Sequence, residues 1–592
     1  MDEMGRQMKK LLGLALLASL LSACGKTPAP SLVDQQDDAT LRTIANGQIV
    51  GSKTTLGAHR WAGIPFAQPP VGDLRWRAPR PTHNWDGEFA ALDASSRCVQ
   101  KTRTSDIEKP GQLVGKEDCL HLNVWAPAFT ADSVPSDADR LPVMVFIHGG
   151  SNIWGYGGQY NSETLATRHN MVVVTVNYRL GPLGWFSQAS LQTGNENETD
   201  NSPNYANLDM IQALKWVQQN IGAFGGNPDQ VTIFGESAGG QNVAALLAIP
   251  QAQGLFHGAI VQSGYYTSRP KVDQEQGVDI KDGWHFKGDN AIVADLNPPV
   301  GATNNELADY LRSVSVEDIF AAAAWTDGEP ETPLVIRDDI LIPAQGLEYA
   351  LSHTKHAIVP VITGTNRDEL KLFNIADERL IKKAFGFLPR ARDKAMYDTL
   401  SRHQSIMWRV RSVDDQARRI SAREQNPVFG YRFDWDEEGS FLGSDFAHLI
   451  GAAHAMELPF IFDGFATFPI GGERIFPKSG AVERDALSHQ MMSYWAEFAR
   501  SGNPGRGHDG TLPLWESWEQ AETDGQFMVF DTATGGGVRM DTDTLTQSSA
   551  YARLGAQTSD LPPEQQCQVL VAVTGWYPET LDLADQSNIS NC

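Results

Sequence analysis

The sequence predicts an α/β protein with a large, mainly parallel central sheet covered by helices on both faces. Two observations carry that expectation. Apolar, β-branched runs recur at wide spacing, and they are continuous rather than alternating, as strands buried on both faces are. Helical patterns lie between some of them, and strand–helix alternation is the signature of a parallel sheet. In chain order the runs are "LPVMVFI" (141–147), "MVVVTVNY" (171–178), "VTIF" (231–234), "GAIVQS" (258–263) and "AIVPVIT" (357–363). A helix over "LDMIQALKWVQQNI" (208–221) separates the second run from the third. Sheets of this kind place their functional residues on loops beyond the carboxyl ends of strands.

The third run continues into "GESAGG", where Gly235 and Gly239 stand two residues either side of Ser237. The Ala- and Leu-rich stretch that follows, up to Pro250, reads as a helix. A strand that turns sharply into a helix holds its central residue in a strained conformation and needs small neighbours. That turn lifts the serine oxygen above the sheet, near a helix N-terminus that favours developing negative charge. The alternative is a glycine-rich turn without chemistry, and the rest of the chain decides between them. After the first run comes "HGGS", from His148 to Ser151. A glycine-rich loop there can turn the N–H groups of Gly150 and Ser151, with that of Ala238, toward one point as an oxyanion hole. After the fifth run, "TNRDEL" offers Asp368 and Glu369, and "GAAHAMELPF" later offers His454. Singly, Glu369 reads as a solvated loop acid and His454 as an ordinary histidine. His454 and Glu457 do not have the HExxH spacing of a zinc site. Together, and in the order serine, acid, histidine, these residues describe nucleophilic catalysis.

Composition bounds the partners and the compartment. With 592 residues, 72 acidic against 48 basic side chains and a formal charge of -24, the chain repels phosphate backbones, which excludes nucleic acid as a partner. Arg6, Lys9 and Lys10 precede "LLGLALLASLL" and then "SACG", a signal peptide over 1–23 whose apolar core is too short to span a membrane. The ending Leu21-Ser22-Ala23-Cys24 also resembles the lipobox of bacterial lipoproteins, which implies Cys24 as the acylated first residue; ordinary cleavage leaving a free Cys24 is the alternative. Residues 24–40 read as anchor and flexible polar tether, 41–560 as the catalytic body and 561–592 as an appendix without a functional reading. On this account the chain is exported and meets the membrane only through its lipid. Cys98, Cys119, Cys567 and Cys592 allow three connectivities; nearness in the chain favours Cys98–Cys119 and Cys567–Cys592. The sequence carries no signal of oligomeric state.

An ordered set of motifs runs through most of the chain: "WAGIPFAQPPVGDLRWRAPRP", "KEDCLHLNVWAP", "IHGGS", "VNYRLGPLGW", "FGGNPDQVTIFGESAGG", "VQSG", "GTNRDEL", "HAMELPF" and "YWAEFARSGNP". The set resembles the type B carboxylesterases, a family that includes bacterial esterases, animal carboxylesterases and the cholinesterases. The resemblance implies an α/β-hydrolase fold and hydrolysis of small-molecule carboxylic esters without metal or cofactor. It implies Ser237 as nucleophile, Glu369 as acid and His454 as base, with Gly150, Ser151 and Ala238 as oxyanion donors. Asp368 is set aside, because the family's acid matches the second carboxylate of "RDE". The resemblance also implies the Cys98–Cys119 disulfide and the ion pairs Arg75–Glu117 and Arg179–Asp209. Ser263 is expected to orient the acid, and Glu236 to tune the site electrostatically. Two departures stand out. Ser151 and Asn152 occupy positions where the family often has glycine and an aromatic, which raises the question of pocket size. The 98–119 loop has no aromatic residue, so the cation–π recognition that acetylcholine requires is missing there. Trp154, Tyr156, Tyr160, Tyr265 and Tyr266 are candidates to line an aromatic gorge. A lipase, a detoxifying esterase and a non-catalytic binding protein are the rival readings.

Overall fold

All five apolar runs contribute strands to one sheet in the computed structural model, which describes residues 35–103, 110–192, 197–280, 284–324, 332–353, 358–422, 427–466, 472–520 and 525–575. The expected signal peptide, Cys24 and Cys592 lie outside the described residues. In chain order the sheet contains β1 (Gln36–Ile44), β2 (Gly47–Lys53), β3 (Ala58–Pro65), β4 (Glu88–Ala90), β5 (His121–Pro127), β6 (Leu141–Ile147), β7 (Val172–Val176), β8 (Gly226–Glu236), β9 (Gly258–Gln262), β10 (Val361–Asn366), β11 (Val428–Phe433), β12 (Phe527–Phe530) and β13 (Arg539–Asp541). Their spatial order is β1-β2-β3-β5-β7-β6-β8-β9-β10-β11-β12-β13, with β4 beside β2. From β7 to β12 every neighbour is parallel. The N-terminal side is an antiparallel extension that the sequence reading did not anticipate.

Burial on both faces explains the continuous runs. Every residue of β6 is buried. Val143, Val145 and Ile147 pack with Leu214 of helix α1 (Tyr205–Asn220) and Val243 of α2 (Ala238–Ala248). Met144 and Phe146, pointing the other way as alternation requires, pack with residues such as Met491 and Trp495 of a long helix over Ala481–Ser501. Strand β10 begins at Val361, just past Pro360, which has no N–H to contribute to a central ladder.

The chain ends of the predicted segments also shift. β1 starts at Gln36 and Thr40 is fully buried, so the folded body takes in residues assigned to the tether, which was expected to run to residue 40. The helix over Pro563–Gly575 packs Val569 and Val573 against Leu400, Met407 and Trp408, so the appendix is part of the body as far as it is described. Cys98 and Cys119 form a disulfide with Cα atoms 4.9 Å apart. Cys567 is also disulfide-bonded.

Two expected ion pairs brace the scaffold. Arg75 grips Glu117 through two hydrogen bonds of 2.7 Å. Arg179 holds the wholly buried Asp209 at 2.8 and 2.7 Å, and its own backbone N–H donates to the same carboxylate. Burial raises the Asp209 pKa and the guanidinium opposes that rise. Removing either partner would strand a buried charge, which costs about 3–5 kcal/mol.

Candidate active site

Strand register sets the position of Ser237. Gly235 is level with Ile147 of β6, and Glu236 with Gln262 of β9, so Ser237 falls just past the carboxyl ends of both neighbours. Its φ of +58° and ψ of -123° are strained for a serine, and helix α2 starts at the next residue. The two glycines are required by space. A Cβ on Gly239 would lie 2.0 Å from the Ile147 carbonyl oxygen, and one on Gly235 would lie 2.6 Å from the Gly239 carbonyl carbon.

Ser237 Oγ is 2.8 Å from His454 Nε2, and His454 Nδ1 is 2.5 Å from Glu369 Oε2. Three residues from distant segments therefore form one hydrogen-bonded chain. Glu369 is fully buried and its other oxygen accepts from Ser263 Oγ at 2.6 Å, Thr365 Oγ1 at 2.7 Å and the Asn366 N–H at 2.8 Å. With so many donors the carboxylate cannot rotate away from the imidazole. Asp368, adjacent in sequence, is instead engaged by Arg367 and Lys371.

Two more carboxyls surround the imidazole. Glu236 Oε1 is 3.2 Å from His454 Nε2 and makes no hydrogen bond among the described residues. Glu457, which the sequence offered only as a zinc-spacing candidate, is fully buried and accepts from Gln262 and Asn366. Among the described residues no cluster of His, Cys, Asp and Glu is arranged to hold a metal ion. Burial raises Glu236 to about 8 and Glu457 to about 7. Burial lowers His454, but the charges of Glu236 and Glu369 outweigh it and raise the imidazole to about 9.

The "HGGS" loop faces the serine. A Cβ on Gly149 would lie 3.2 Å from Ser237 Cβ and 2.7 Å from the Glu236 carbonyl oxygen. His148 stacks on Tyr178 at 4.4 Å, and Tyr178 donates to the His148 carbonyl at 2.6 Å, which fixes the start of the loop. Gly150 has φ +101°, and Ser151 takes φ +55°, a left-handed conformation that favours glycine. Asn152 is fully buried; its side chain donates to Pro333 O and accepts from Asn242 at 2.9 Å. Its side chain is part of the scaffold.

The aromatic candidates separate. Tyr266 is buried with its hydroxyl 3.2 Å from Thr363 and belongs to the core, whereas Tyr160 is half-buried and packs on Phe146 and Phe462 at the edge of the core. Trp154 lies under Arg103, and Tyr156 near Arg97. Tyr265 is half-buried and its ring is 4.3 Å from Trp408. Trp408 stands 5.0 Å from the His454 ring and Phe373 stands 5.5 Å from it. Trp408 and Phe373 were not found from sequence, because both sit in helical stretches without any motif of their own.

Comparison with known proteins gives the family of the chain. The sequence model of the carboxylesterase family matches residues 38–386 and 387–551. A para-nitrobenzyl esterase of Bacillus subtilis is 35% identical over 486 residues, covering 78% of this chain and 90% of that protein. A human cocaine esterase is 33% identical over 528 residues, covering 82% and 88%. The solved carboxylesterase of Geobacillus stearothermophilus superposes with a TM-score of 0.65 at 26% identity, over 87% of this chain and 99% of that one. A serine above the sheet, joined to a histidine and a glutamate inside an α/β-hydrolase scaffold, thus has its relatives among esterases: the chain belongs to the carboxylesterase family and is a carboxylic ester hydrolase.

Proposed function

We propose that the ester is cleaved by Ser237 acting through an acyl-enzyme, with His454 as base and Glu369 as the acid that orients it. The observation that carries this reading is the continuous chain from Ser237 Oγ to Glu369 at 2.8 and 2.5 Å. Nε2 takes the serine proton as Oγ attacks the carbonyl carbon, and Glu369 stabilises the imidazolium. The N–H groups of Gly150, Ser151 and Ala238 hold the tetrahedral oxyanion, worth about 3–4 kcal/mol for a single well-placed donor. The proton then passes to the departing alcohol, and water activated by the same imidazole releases the acid.

The aromatic wall of Trp408, Phe373 and Tyr265 beside His454 supports a preference for small apolar or aromatic esters. A p-nitrophenyl ester series from acetate to palmitate tests it. The expected result is highest kcat/KM on short and medium acyl chains, with a steep fall at palmitate. A preference for palmitate that rises at a lipid interface would move the reading to a lipase.

The base also has a pH signature. His454 works only when Nε2 carries no proton, so kcat/KM falls as pH drops through its pKa. Burial lowers that pKa, and Glu236, Glu369 and Glu457 together raise it by more, to about 9. Glu236 and Glu457 hold protons themselves over part of the neutral range and push less when they do. The expected rising limb has its midpoint above the ordinary histidine value of about 6.5. Glu236→Gln moves it down. A wild-type midpoint at or below about 6.5 contradicts the charge cluster.

Export and lipid anchoring through Cys24 complete the proposal. Support comes from the leader sequence and from the Cys98–Cys119 disulfide, which suits an oxidising compartment. Among the described residues no helix is long and apolar enough to cross a membrane.

A further inference from the structure

A cavity of about 650 Å³ lies against the carboxyl end of β10 and is lined by neither Ser237 nor His454. Its size is that of a site for a small organic molecule. Its charge is unusual for this chain. Seven lysine and arginine side chains line it against four aspartates, in a protein whose formal charge is -24. One wall is helix α3 (Lys394–Arg409), which contributes Lys394, Asp398 and Arg402 at successive spacings of four, along one face.

On a solvated helix Asp398 would pair with both of those cations. Here its Oδ1 is 2.7 Å from His448 Nε2 instead. Among the described residues neither Lys394 nor Arg402 then has a carboxylate or any hydrogen-bonding partner. The opposite cations are already committed: Arg409 to Asp414, and Arg553 to Asp543 through two bonds of 3.0 and 2.7 Å. Two uncompensated cations therefore face a polar cavity whose other charges are held in fixed pairs. At 1.5 Å rise per residue their Cα atoms stand about 12 Å apart, so long side chains can converge on a ligand with two or more anionic groups.

We propose that this cavity binds a small multivalent anion, a phosphorylated or polycarboxylate molecule, through Lys394 and Arg402. The guanidinium fork matches the geometry of either anionic group, and the ammonium adds a point charge. The inference is independent of the catalytic assignment. Asn366 connects the two places, since it lines the cavity and also donates to Glu369 and Glu457.

Isothermal titration of the full chain with pyrophosphate and with citrate tests the site. Lys394 and Arg402 are exposed and outside the ester-cleaving chain, so a K394Q/R402Q variant retains wild-type hydrolysis of p-nitrophenyl butyrate, which shows that it is folded. The expected result is saturable one-to-one binding of at least one probe, weakened at least about tenfold in the variant. Tighter binding of pyrophosphate assigns the phosphorylated class, and tighter citrate the polycarboxylate class. No saturable binding of either probe up to about 10 mM, or equal affinity in the variant, overturns the proposal.

Discussion

Ser237→Ala lowers kcat for short p-nitrophenyl esters by about 10⁶-fold, the scale seen when a serine hydrolase loses its nucleophile. The loss is that large because the remaining groups have nothing to act on. His454 keeps its hydrogen bond to Glu369, and the oxyanion loop keeps its backbone, yet water must now attack the ester directly. Stability hardly changes. The hydroxyl contributes one hydrogen bond, to His454 at 2.8 Å, and alanine meets the same strain as serine at φ +58°. Steady-state kinetics beside a thermal melt make the check: activity falls to the background set by oxyanion donors and binding, while Tm stays within about 2 °C. A variant that keeps more than about a hundredth of wild-type kcat would show that another group attacks the ester.

Glu369→Gln is expected to lower kcat by about 10⁴-fold and leave KM nearly unchanged. The substitution keeps the volume and removes the charge. If the new amide nitrogen faces His454, it donates to Nδ1, and the ring takes the tautomer in which Nε2 carries the proton. Nε2 then cannot accept the proton of Ser237. If the amide turns over, its nitrogen faces the Asn366 N–H, so two donors meet and the N–H loses its acceptor. Either arrangement leaves a buried donor unsatisfied, so the protein also loses about 1–3 kcal/mol. The readout is the split between kcat and KM together with a denaturant midpoint. An equal rise in KM with kcat intact would make Glu369 a binding residue instead.

Much of this site could be read from the chain because its chemistry is local. The glycines around Ser237 are dictated by contacts of 2.0 to 2.6 Å to neighbouring backbone, and such contacts leave a motif. Ser263, expected to orient the acid, donates to Glu369 at 2.6 Å. The antiparallel strands β1, β2, β3 and β5 were not legible, since their apolar residues are broken by polar ones. Residues 36–40 look like a polar tether, yet backbone pairing with β2 turns them into sheet. Tyr265 and Tyr266 are adjacent and indistinguishable by composition; only the fold sends one toward Trp408 and the other into the core. Glu457 and Trp408 act through positions in space that no spacing rule encodes. The same holds for the charge balance on His454, which depends on three carboxyls from separate segments.

The central claim is that ester cleavage passes through a covalent intermediate on one serine. Wild-type enzyme mixed with excess p-nitrophenyl acetate and quenched in acid within the first turnover gives that answer by peptide mass spectrometry. The account predicts an acetyl group on the peptide carrying Ser237, a burst of p-nitrophenol matching the enzyme concentration, and neither in Ser237→Ala. Acetylation at a different residue, or turnover with no acyl-enzyme at Ser237, contradicts it.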